Sequence, residues 1–291
     1  MQLPELGMKG QLVLANASVL VIGAGGLGCV VLPYLAAAGV GTIGIADSDV
    51  VALHNLHRQL LYTQEDVGLY KSETAAKKLH AINSEVTVIV HTTTCNASNA
   101  FSLLKDYDII VDATDNLQVR YLLNDACEQL NKPWVYGSIY RYEGQVSVFC
   151  YGKTQANYKD LFPDEHKASA CSCNEAGVLG PLPGIIGSMQ ALEVIKIITG
   201  IGKVLSGKLL VYNTLHHTCT TIDIPPRKEN IILTKKQPAN SIDAAEISPH
   251  DFERKIQDED CIILDVREWH ETPTLTLQNL IRMPLSELSA E

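Results

Sequence analysis

The chain has 291 residues, 46% of them hydrophobic and 19% charged, and a formal net charge of −10. That length admits one large core or two smaller ones, and the acidic balance argues against a nucleic acid as main partner while leaving room for a local basic pocket for phosphates. No apolar run approaches the ~20 residues of a membrane span and no secretory leader is visible, so a cytoplasmic protein with no membrane partner is expected. Eight cysteines in that compartment are expected to be buried, metal-bound or reactive rather than paired.

From residue 19 the order is an apolar strand (19–22), a glycine turn, a helix (27–38) and a second strand (42–46), which is the pattern of a βαβ unit with parallel pairing. A helix over 72–82 and strands over 86–90 and 108–112 continue the alternation of a wound parallel sheet. Two strands then follow directly, 134–138 and 145–151, with a short connection over 140–144 that suits an antiparallel hairpin. After an irregular polar stretch over 152–172, a helix is predicted over 184–198, ending at Gly200, followed by strands over 209–212 and 218–224. Pro225, Pro226 and a charged run then open a polar connector. The predicted layout is therefore a main domain over 1–225, a linker over 226–245 and a short C-terminal segment over 246–291.

Gly23-Ala24-Gly25-Gly26-Leu27-Gly28 follows a strand and opens a helix, so its glycines permit a tight turn and close approach of phosphates to helix N–H groups. Asp47 ends the second strand, about 20 residues on, where a carboxylate can accept from ribose hydroxyls. Structural glycines are the plainer alternative, and a dehydrogenase would satisfy the same pattern. What separates the two is Asp49, Asn55, Arg58 and Gln59, followed by Lys71. Attack on the α-phosphate of ATP needs cations to neutralise the departing pyrophosphate, whereas hydride transfer does not; a solvated charged loop is the bland alternative. Asp112-Ala113-Thr114-Asp115-Asn116 lies at the C-terminal end of a strand, where open α/β sheets bind ligands. Asp115 there is either a ligand for magnesium or an N-cap of the next helix.

Together these segments resemble the ThiF/MoeB/HesA family, bacterial relatives of the ubiquitin-activating enzymes. The glycine loop, Asn55-Leu56-His57-Arg58-Gln59, Thr114-Asp115-Asn116 and Glu175-Ala176-Gly177-Val178-Leu179-Gly180-Pro181-Leu182-Pro183-Gly184 match its signatures in order and spacing, over about 3–224. The resemblance implies a Rossmann-like α/β fold with a mixed, mainly parallel sheet and helices on both faces. It implies a homodimeric adenylyltransferase that uses ATP and magnesium on the C-terminal glycine of a ubiquitin-like sulfur-carrier protein ending in Gly-Gly, in molybdopterin, thiamine or related biosynthesis. Carried onto this chain, Asp47 would bind ribose, Asn55, Arg58 and Lys71 the phosphates, and Asp115 the magnesium, with Gln59 a weaker member of the set. A carboxylate nucleophile is already ionised at neutral pH, so positioning and charge neutralisation suffice. An NAD-dependent oxidoreductase and a nucleotide-binding scaffold without catalysis are the competing readings.

The chain also departs from the family. Many members hold zinc on two Cys-x-x-Cys pairs, but Asn157-Tyr158-Lys159-Asp160-Leu161-Phe162 occupies the first and the second is missing around 227–231, so no structural zinc is expected. A substitute site from Cys171, Cys173, His217 and Cys219 has no usual spacing. Cys173 stands where several relatives carry a covalent sulfur-transfer cysteine, and is either catalytic or a buried, inert thiol; Cys29, Cys127 and Cys150 read as core. Relatives usually begin with an Arg-Tyr-x-Arg-Gln helix, and this chain starts just past that arginine, so either the true start lies upstream or a transition-state cation is missing. Ile262-Ile263-Leu264-Asp265-Val266-Arg267-Glu268 resembles the opening of a rhodanese domain, too short here for a whole core.

Overall fold

The computed structural model describes residues 3–152, 156–163, 177–225, 263–265 and 280–282. The chain divides into two units, Met1–Glu229 and Asn230–Glu291. The first runs α1 (Gly7–Asn16), β1 (Ser18–Ile22), α2 (Gly28–Ala38), β2 (Thr42–Ala46), α3 (Lys71–Ile82), β3 (Thr87–His91), α4 (Ala100–Leu104), β4 (Ile109–Asp112), α5 (Leu117–Leu130), β5 (Trp134–Tyr140), β6 (Glu143–Phe149), α6 (Tyr158–Leu161), α7 (Leu182–Thr199), β7 (Lys208–Asn213) and β8 (Thr218–Asp223). The eight strands form one sheet in the order β3-β2-β1-β4-β5-β6-β7-β8. Pairing is parallel from β3 to β5 and antiparallel from β5 to β8, so the expected mixed sheet is present.

The short apolar runs of β1, β2 and β4 become strands because both faces of the sheet are covered there. Side chains alternate along a strand, and β1 shows it: Val19 and Val21 join one core with α2, α3 and α7, while Leu20 and Ile22 join a second core with α4 and α5. On β4, Ile109 and Val111 go to the first core and Ile110 to the second. Residues 19–22 of β1 and 109–111 of β4 are apolar because neither face meets water there.

The hairpin differs from expectation. β6 begins at Glu143, and Tyr140 pairs with Glu143, leaving Arg141-Tyr142 as the whole turn, with Arg141 at φ 51°. Gly144 therefore lies within the strand rather than in the turn; a Cβ there would sit 2.2 Å from Ile186 of α7, so its bareness serves helix–sheet packing. Helices α1 and α4 carry no explicit expectation from the sequence, whereas α5 is the helix expected after Asp115. α7 is long and apolar enough to cross a membrane by length and composition, which the sequence expectation of no such run missed. It packs on β5, β6 and α2, and its Glu193 and Lys196 form an ion pair.

In the second unit Ile263–Asp265 (β9) pairs in parallel with Leu280–Arg282 (β10). β9 falls within the 262–268 stretch that resembles the opening of a rhodanese domain, while the rest of the expected linker and C-terminal segment lies outside the described residues.

Trp134 is fully buried on β5, with ring centroids 5.2 Å from Phe149 and 6.0 Å from Tyr158. Its indole N–H has no partner among the described residues. Trp134→Ala should lower the unfolding free energy by about 3–5 kcal/mol in urea titrations. Trp134→Phe should cost less, because most ring contact survives and an unpaired donor is removed.

Candidate active site

The C-terminal ends of the parallel strands β1, β2 and β4 open onto a cavity of about 770 Å³. This is the edge where an open α/β sheet binds ligands. Its floor is the glycine loop between β1 and α2. Gly23 has φ 96°, and a Cβ there would lie 2.7 Å from the Ala113 carbonyl; one on Gly28 would lie 2.1 Å from the Gly23 carbonyl. These two glycines let the loop pack on itself and on β4. Gly25 and Gly26 line the cavity, and a Cβ on Gly25 would meet nothing nearer than the Gln59 amide nitrogen at 3.5 Å. No side chain caps the first turn of α2; its Cys29 and Val30 N–H groups bond back to the Gly25 and Leu27 carbonyls, so the donors facing a ligand are those of the glycine loop itself.

Asp47 is nearly buried and each of its oxygens accepts one backbone N–H: Oδ2 from Ala24 and Oδ1 from Asp49, both at 2.7 Å. Burial raises its pKa, against the pull of these two donors. Asp49 is the counter-ion of Lys71, Nζ to Oδ2 2.8 Å; the lysine side chain is 6% exposed and the aspartate's 69%. Arg58 donates from Nη2 to Asn55 Oδ1 at 2.8 Å and lies 3.4 Å from His57 Nε2. Gln59 is buried, and its Oε1 has no partner among the described residues. Asp47, Asp49, Asn55, Arg58, Gln59 and Lys71 all line the one cavity.

At the end of β4 the two readings of Asp115 separate. Asn116 caps α5, its Oδ1 accepting from the N–H groups of Gln118 (2.9 Å) and Val119 (3.3 Å). Asp115, exposed at the cavity wall, is therefore not the cap, and makes no hydrogen bond or ion pair among the described residues. The sequence reading missed Arg120 and its buried partner Asp112, 3.2 Å apart. Burial raises the Asp112 pKa and Arg120 opposes it. A charged pair eight residues apart, with the arginine inside a helix, leaves no local signature in the sequence.

Cys173 and Cys171 lie outside the described residues. Cys95, also missed, lines the cavity, but burial pushes its thiol up to about 11 and that of Cys29 up to about 12, so neither is a ready nucleophile. Cys127 is buried as expected, whereas Cys150 is half-buried. At the segment where relatives carry a cysteine pair, Asn157 and Asp160 cap α6 reciprocally, Asn157 Oδ1 accepting at 3.1 Å and Asp160 Oδ2 at 2.9 Å. His217 Nδ1 is 3.0 Å from the Tyr212 hydroxyl.

The cavity suits a triphosphate: a bare glycine floor, the cations of Arg58 and Lys71, and, in Asp115, a carboxylate with no partner among the described residues. The family model of the ThiF family matches residues 1–233. The chain belongs to the ThiF family. It is 49% identical over 220 residues to a sulfur carrier protein adenylyltransferase of Thermus thermophilus, covering 74% of this chain and 81% of that one. It is 46% identical over 236 residues to the adenylyltransferase and sulfurtransferase MOCS3 of Caenorhabditis briggsae, covering 81% of this chain. There it spans 59% of the relative's length. Among solved structures, that of E. coli MccB with ATP matches with a TM-score of 0.65 and 26% identity, over 74% of this chain and 66% of that one.

Because a methyl group at residue 28 would collide with the Gly23 carbonyl, Gly28→Ala must displace the glycine loop of this ThiF-family chain. Its affinity for ATP should fall roughly tenfold or more, equivalent to about 1.4 kcal/mol, by calorimetric titration.

Proposed function

We propose that this chain is an adenylyltransferase that activates the C-terminal carboxylate of a ubiquitin-like sulfur-carrier protein. A carboxylate oxygen of the carrier bonds to the α-phosphorus of ATP while the bond to the β-phosphate oxygen breaks. The carrier is left as an acyl-adenylate, and the electron pair departs with pyrophosphate. The observation that carries this reading is the pair of cations, Arg58 and Lys71, set with Asp115 around one glycine-floored cavity. No general base is required, since the attacking carboxylate is ionised at neutral pH. The family membership and the adenylyltransferase relatives support the same reading.

Each residue then has a role that follows from its surroundings. Asn55 holds the Arg58 guanidinium and Asp49 holds the Lys71 ammonium, so both cations are positioned before substrate arrives. Preorganised charge of this kind stabilises a developing anion without reorganisation during the reaction. Asp47 fixes the glycine loop while lining the cavity, and its carboxylate stands where ribose hydroxyls are recognised in such folds. Asp115, with no other commitment, would hold the magnesium, and that ion when bound supplies positive charge to the phosphates. Asn116 and Gln59 complete the polar wall.

A homodimer is proposed as the working assembly, supported by exposed apolar residues on neighbouring helices, Tyr34 of α2 and Leu192 of α7. A Gly-Gly ending is proposed for the carrier, as the resemblance to the ThiF/MoeB/HesA family implies. A nicotinamide dehydrogenase would leave Arg58, Lys71 and Asp115 without work. The proposed division of the chain is an adenylating unit over 1–225, a linker over 226–245 and a separate C-terminal segment over 246–291, with the cytoplasm as location.

Carrier-dependent ATP–pyrophosphate exchange tests the proposal, and NAD reduction without exchange would overturn it. Asp115→Ala should abolish exchange and leave the unfolding midpoint unchanged; normal exchange would remove Asp115 from the site. Arg58→Ala and Lys71→Ala should each reduce the exchange rate by roughly 10²-fold or more, as losing one oxyanion donor does. Unchanged rates and ATP Michaelis constants in both variants would leave only a nucleotide-binding fold.

A further inference from the structure

Arg120 does more than neutralise a buried carboxylate. Its Nε donates to Asp112 Oδ2 at 3.2 Å, Nη2 to the carbonyls of Thr114 (2.9 Å) and Gly137 (3.3 Å), and Nη1 to Ser138 Oγ at 3.2 Å. The guanidinium carbon lies 5.2 Å from the Tyr136 ring centroid. The other carboxylate oxygen of Asp112 accepts from the Thr114 N–H at 2.9 Å and hydroxyl at 2.7 Å. Thr114 is thus gripped through its N–H, its side chain and its carbonyl, and the next residue is Asp115, whose own side chain has no hydrogen bond among the described residues.

We propose that Arg120 is a positioning residue for the adenylation reaction: by tying the Thr114 carbonyl to β5 and to Asp112, it sets where the Asp115 carboxylate stands in the cavity. This inference rests on the reading of Asp115 as the magnesium carboxylate. A carboxylate held only through its backbone is as well placed as the peptide before it. Neutralising Asp112 needs one cation at one point, which a lysine could supply. Bridging a carboxylate, two carbonyls and a hydroxyl from one side chain needs the planar fork of arginine. Partners that orient a metal ligand typically change metal affinity by about 10–100-fold when altered.

The test compares wild type with Arg120→Lys, which keeps the charge beside Asp112 and loses the span. Mn²⁺ binding in the presence of AMPCPP, followed by electron paramagnetic resonance, should weaken by about tenfold or more. AMP binding without metal, measured by calorimetry, should stay within about twofold, because the Arg120 bonds to Asp112, Thr114, Gly137 and Ser138 hold the ends of β4 and β5 rather than the glycine loop. The Mg²⁺ concentration giving half-maximal exchange should rise in parallel. Unchanged Mn²⁺ affinity, or equal loss of Mn²⁺ and AMP binding, would overturn the positioning role. If Arg120→Lys does not fold, the uncharged pair Asp112→Asn with Arg120→Gln, which leaves no unpaired buried charge, should show the same selective Mn²⁺ loss, and the same two outcomes would overturn the role there. Absence of exchange in wild type would sink the adenylation reading itself, whereas wild-type exchange with an unchanged Mn²⁺ affinity in the variant sinks only the role of Arg120.

Discussion

Asp47, through its carboxylate and its main-chain carbonyl, ties together the glycine loop, the segment after β2 and the first turn of α3. One oxygen holds the Ala24 N–H in the glycine loop, the other holds the Asp49 N–H, and the Asp47 carbonyl accepts from Ser72 Oγ at 2.9 Å in α3. Tyr62 reinforces the joint from below, its hydroxyl lying 2.9 Å from the Ala24 carbonyl and 3.2 Å from that of Lys71. Taking a carboxylate out of water is costly, and two short N–H bonds offset the cost here. The position of the loop, of the Asp49–Lys71 ion pair and of the first turn of α3 all follow from that knot.

Around the knot the charged groups come as held pairs. Lys71 is almost wholly buried along its stem and reaches a counter-ion that is itself mostly in solvent. Such an asymmetric pair leaves the ammonium available to a second anion, since Asp49 gives up little when water replaces it. Arg58 is held by a neutral amide rather than by a carboxylate, so its full charge remains directed to whatever fills the cavity. Among the described residues at the wall, Asp115 is the carboxylate with neither an ion pair nor a hydrogen bond. The distribution is that of a site for a polyanion with one place for a cation.

β1, β2 and β4 were legible because each is a short, mostly apolar run buried on both faces, and β2 begins and ends where its residues predict. The glycine loop, Asn55, Arg58, Lys71 and Asp115 were legible because they sit at loops beside strand ends and have no apolar duty. What escaped was long-range. Arg120 and Asp112 read as a helix residue and a strand residue, and only packing of α5 against β4 and β5 brings them together. The hairpin register was displaced because Gly144 looks like a turn residue, and its reason for being glycine lies across the sheet in Ile186. Asn116 rather than Asp115 caps α5, and both are good caps by residue type, so only geometry separates them.

The sheet changes character at β5, where parallel pairing gives way to antiparallel. The parallel strands contribute the glycine loop, the cations and Asp115, while Ile139 near the end of β5, with Gly177 and Val178 beside it, closes the cavity from the antiparallel side; Val178 bridges to Arg141 in the hairpin turn. The two halves touch the same space through different strands and different loops. A change of residue in or beside the hairpin would therefore reshape that wall while leaving Asp47, Lys71 and the glycine loop where they are, so the cavity is built from two separable parts.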